Sequence, residues 1–93
     1  MNLRKQQYDP VHSGPVGERF VDLRSHHEYG LLASITPLQG GGEEIDIEAK
    51  TVAELAAKLQ EHGFTESEAK RITIPADVPG LPWTNHGQQA APR

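Results

Sequence analysis

Five histidines are the residues best equipped for chemistry in this chain: His12, His26, His27, His62 and His86. Imidazole moves protons or holds transition metals, and both roles need partners at fixed spacing. Only His26 and His27 are neighbours. On a regular strand they point to opposite faces, so they converge on one ion only if a hairpin ends there. No His-x-His or HExxH spacing accompanies them. His62 falls in the last turn of a helical pattern, where a cation-capable ring suits the macrodipole. No metal site and no cofactor are expected.

Nucleophilic chemistry lacks its parts. There is no cysteine, which also excludes a disulfide scaffold and thiolate zinc sites. Ser13, Ser25, Ser34 and Ser67 stand outside any nucleophile elbow. Gly40-Gly41-Gly42 joins two strand patterns, without the helix N-terminus and lysine of a phosphate loop, and reads as a hairpin tip. Glu44, Asp46 and Glu48 share one strand face as solvated acids. No catalytic residue is assigned, and the chain is read as non-enzymatic.

These residues are positioned by a small scaffold. Leu, Ile, Val and Phe number 20 of 93, but 15 of them fall among the 55 residues from Phe20 to Ile74. Six of the seven prolines lie outside that stretch. The division predicts an extended N-terminal arm over 1–17, a compact domain over 18–75 and a Pro/Gly-rich tail over 76–93. Glu18–His27 and Tyr29–Thr36 read as strands joined by a short Gly-containing link, hence a hairpin. Glu44, Asp46 and Glu48 alternate with Ile45, Ile47 and Ala49, the period of a half-buried third strand.

Thr51 precedes Glu54 by the three residues of a capping box. Val52, Leu55, Ala56 and Leu59 then form one apolar helix face, and His62-Gly63-Phe64 ends it as an αL-type cap would. A second capping spacing, Thr65 to Glu68, opens a short helical turn through Lys70. Arg71-Ile72-Thr73-Ile74 alternates and stops at Pro75, so a fourth, edge strand is expected there. The fold class is α+β: a small antiparallel β-meander with one main helix packed on one face.

The stretch 51–74 resembles the generic helix-turn-helix pattern of two capped helices around a glycine turn. That resemblance implies a DNA-associated transcriptional regulator contacting phosphates through Lys70 and Arg71. Leu59 is bulky where such a motif needs a small residue for close crossing, and Glu66 and Glu68 would face the phosphates. Nine Lys and Arg against thirteen Asp and Glu give a net charge of −4, so nucleic acid is not the expected partner.

The leading expectation is a protein-binding module, a regulator or inhibitor that occupies a surface of a larger protein. Small acidic cysteine-free domains of phage, plasmid and operon regulators offer an analogy of size and composition only. The tail strip IPADVPGLPWTNHG holds the only tryptophan, an anchor type that binding surfaces use. The expected contacts are Tyr8, Leu81 and Trp83, with Glu44, Asp46 and Glu48 as an electrostatic rim; the competing reading folds Trp83 back onto its own domain. A homodimer through sheet edges, at Arg71–Ile74 or Phe20–Leu23, is a further expectation. No apolar run reaches membrane-spanning length and Met1–Pro10 has no signal-like hydrophobic region, so a cytoplasmic location is expected.

Overall fold

The computed structural model describes residues 7–39, 42–78 and 80–84. The glycine-tip residues 40 and 41, and the tail beyond residue 84, lie outside them. Four strands form one sheet in the order β1 (Asp9–Val16), β2 (Arg19–His26), β3 (Gly30–Pro37) and β4 (Ile45–Ala49), with every neighbour antiparallel. Helices α1 (Val52–Glu61) and α2 (Glu66–Thr73) follow, and a 3-10 turn spans Ile74–Ala76. This is an α+β fold, as the sequence periods indicate.

The fourth strand is not where the alternation puts it. Arg71-Ile72-Thr73 continues α2, and Ile74 begins the 3-10 turn. Thr65 accepts from Glu68 N–H while Glu68 accepts from Thr65 N–H, a complete capping box that starts the helix. Ala69, Ile72 and Thr73 then fall on one buried helical face. The Thr73 hydroxyl donates to the Ala69 carbonyl at 3.0 Å, so the β-branched residues are absorbed into the helix. The fourth strand is β1 instead, drawn from the segment read as an arm and laid along the sheet edge. Pro10 and Pro15 fit such an edge, where a missing N–H costs no ladder bond, and the register shifts between Pro10 and His12.

Alternation divides the sheet into two faces. On one, Val21, Ile35 and Ile45 form a cross-strand row, followed by Leu23, Ala33 and Ile47, then Ser25, Leu31 and Ala49. Val52, Leu55, Leu59, Phe64, Ala69 and Ile72 close over these rows to make the core, while Ile45 at the end of the first row stays exposed. Each fully buried side chain of this kind contributes about 1.5–3 kcal/mol.

The α1 stop is a Schellman motif. Phe64 N–H donates to the Leu59 carbonyl and Gly63 N–H to that of Gln60, with Gly63 at φ 98°. The Arg19 guanidinium sits 3.7 Å from the Phe64 ring centroid and donates to the His62 carbonyl at 2.8 Å. One β2 side chain thus ties the sheet to the end of α1.

Candidate functional site

The opposite sheet face carries no helix among the described residues. Its rows follow from the same register: Phe20 beside Thr36, then Asp22, Ser34 and Asp46, then Arg24, Leu32 and Glu48, then His26 beside Gly30. Leu32 is fully buried and Ser34 is buried, yet neither belongs to the helix-covered core. They form the floor of a face whose walls are charged. Asp22 Oδ2 accepts from Arg24 Nε at 2.9 Å, and Asp46 and Glu48 are further carboxylates of the same rows. Among the described residues the Ser34 hydroxyl has no hydrogen-bond partner. At the rim Phe20 is 38% exposed.

An aromatic cluster closes one end of this face. His26 stacks on Tyr29 at 4.2 Å and on His27 at 4.5 Å, while Tyr8 meets His26 edge-on at 5.9 Å. His26 Nδ1 accepts from the backbone N–H of Glu28 at 3.0 Å and of Tyr29 at 3.3 Å, which closes the β2–β3 turn. Gly30, at φ 99°, lies so close to β4 that a Cβ there would strike the Ala49 carbonyl and the Lys50 Cα. The Lys50 ammonium donates to the Glu28 carbonyl at 3.3 Å, tying the turn to the end of β4.

The expected contact residues separate into two groups. Asp46 is exposed and Glu48 half-buried on one face of β4, with Glu44 exposed just before the strand. Lys58 of α1 reaches over the same strand and donates to the Glu48 carbonyl at 2.8 Å. Tyr8 and Trp83 lie inside the chain's own fold, at 3% and 7% exposure. Trp83 Nε1 donates to the Ala76 carbonyl at 2.9 Å, its own carbonyl accepts from Val52 N–H at 2.7 Å, and Leu81 packs half-buried on the core beside it. A ring with an N–H to satisfy and a thin core to complete is buried at home.

Lys70 and Arg71 are exposed in the last turn of α2. The segments named for edge pairing are not edges: Arg71–Ile74 is helical, and Phe20–Leu23 lies in β2 between β1 and β3. The outer strands of the sheet are β1 and β4.

Sequence reading missed Asp22, Arg24, Ser34 and the Tyr8–His26–Tyr29 cluster. The β2 signal was legible as Phe20, Asp22, Arg24 and His26 on even positions against Val21, Leu23 and Ser25 on odd ones. The cluster was not, because Tyr8 reaches His26 only through the pairing of β1 with β2. No helix among the described residues is long and apolar enough to cross a membrane. Comparison with protein families, with curated proteins and with solved structures found no match.

Proposed function

We propose that this chain is a non-enzymatic protein-binding module, a regulator or inhibitor that docks the helix-free face of its sheet on a larger protein. The observation that carries the reading is the Leu32–Ser34 floor on a face without a helix among the described residues, in rows that also hold Asp22, Asp46, Glu48 and Arg24. A sheet face with a small apolar floor and an acidic rim suits a partner surface that is basic at its edge. Phe20 and Asp46 offer exposed side chains there without disturbing the core.

The test compares two double variants of the full chain in affinity capture followed by mass spectrometry. Asp46→Lys with Glu48→Lys reverses the rim; Lys70→Glu with Arg71→Glu alters α2 and leaves the sheet alone. With circular dichroism unchanged, the rim variant is expected to lose the partner at least about tenfold and the helix variant to keep it. Retention of the same partner by the rim variant, at undiminished affinity, refutes the docking face.

A further inference from the structure

We propose that the β2–β3 turn is a binding site for a borderline transition-metal dication of the zinc class, held by His26, His27 and Glu28. The proposal is independent of the docking face. His26, His27 and Glu28 each present one ligand atom, and these three atoms lie within 4.8 Å of one another. Two imidazoles and one carboxylate are a donor set suited to zinc, and harder ions such as magnesium prefer all-oxygen sets.

The obstacle posed by adjacent histidines is removed by their position. His26 is the last residue of β2 and His27 the first of the turn, so strand alternation no longer separates them. Their rings stack with 19° between planes. Zinc bonds of about 2.0–2.2 Å in a tetrahedron bring donor atoms to roughly 3.3 Å apart. Closing from the observed spread draws on rotation of His27 and Glu28, both exposed, together with a readjustment of His26. Three protein ligands leave the fourth position open to water or another ligand.

A particular consequence follows for the turn. Because His26 Nδ1 accepts two backbone N–H groups, the neutral ring carries its proton on Nε2. A metal bound at Nδ1 competes with those N–H groups for one lone pair. A metal bound at Nε2 forces the proton to Nδ1, where it faces the same two donors. By either nitrogen, metal entry releases the amides of Glu28 and Tyr29. Metal binding and turn closure are therefore opposed, and the Tyr29–His26 stack must loosen as the ion enters.

The experiment is a Zn²⁺ titration of the full chain by calorimetry in a non-chelating buffer, with amide exchange read by NMR and Mg²⁺ as the hard-cation control. One Zn²⁺ per chain is expected, with faster exchange at Glu28 and Tyr29 on saturation. His27→Ala and Glu28→Gln, at exposed positions that leave the fold intact, are each expected to weaken binding at least about tenfold. A His12→Gln, His62→Gln, His86→Gln variant is expected to bind as the parent does. The proposal is overturned by absence of saturable Zn²⁺ binding up to about 1 mM, a free energy of roughly −4 kcal/mol. It is equally overturned by parent-like affinity in His27→Ala, by loss of binding in the triple variant, by Mg²⁺ binding as tightly, or by unchanged Glu28 and Tyr29 amides.

Discussion

The indole N–H of Trp83 donates to the carbonyl of Ala76 at 2.9 Å, seven residues back along the chain. That bond folds the tail back over α1, where Val52 N–H in turn donates to the Trp83 carbonyl. Trp83→Ala is expected to destabilise the domain by about 3–5 kcal/mol, the range for emptying a buried large aromatic. Trp83→Phe, which keeps most of the ring volume and loses the N–H, should cost about 1–3 kcal/mol because the Ala76 carbonyl is left buried. Urea unfolding of both variants measures the pair. Parent stability in Trp83→Ala would place the indole on the surface, as a partner anchor requires.

Gly30 stands at the crossing of the turn and the end of β4. A side chain there must adopt φ 99° and push the Ala49 carbonyl aside. Gly30→Ala is expected to lower stability by roughly 2 kcal/mol or more, since strain and collision add. The same change should weaken the His26 bonds to the Glu28 and Tyr29 amides, which amide exchange resolves residue by residue. Loss of stability with those two amides still protected would show that the strain is relieved in β4 and not in the turn.

Much of this architecture is written locally. Strands β2 and β4 follow from alternation, β3 from its apolar and β-branched content, and both helix starts from Thr51 and Thr65 with their glutamates, because each signal acts within a few residues. What failed required distant partners. Ile72 and Thr73 read as strand by residue type, yet the helix begun at Thr65 and the core contact of Ile72 outweigh that modest preference. Asp9–Val16, with two prolines and a glycine, has a poor strand composition and is held by pairing with β2. Tyr8 and Trp83 both look like exposed anchors in sequence. Each is buried by elements that only the folded topology brings near it.

Glu54 offers a pH readout of the α1 start. Its carboxylate accepts from Lys50 N–H at 2.8 Å and pairs with the Lys58 ammonium at 3.2 Å. The backbone bond first, and the Lys58 bond second, hold its carboxyl below the ordinary value of 4.5. A lowered folded-state value means the unfolded chain takes up the proton first on acidification. The contribution is therefore full above about pH 4.5 and is lost as pH falls through the lowered value. Glu54→Gln should be less stable than the parent at pH 7, and the gap should close in acid. The group is exposed, so the gap is small at physiological salt. A gap that is constant from pH 7 to pH 2 would mean that the charge contributes nothing.

The two capped helices keep a DNA-binding reading open to direct trial through Lys70 and Arg71. Both are exposed at the C-terminal end of α2, which carries the negative pole of the helix, whereas phosphates are favoured at N-termini. At that N-terminus stand Glu66 and Glu68, with the Glu68 carboxylate already accepting from Thr65 N–H. The chain as a whole carries a net charge of −4. No shift of duplex DNA is expected in a gel titration at about 50 mM salt, the condition most generous to phosphate contacts. A complex at that salt that weakens steeply by about 200 mM, and that Lys70→Glu with Arg71→Glu abolishes, would transfer the function from the sheet face to α2.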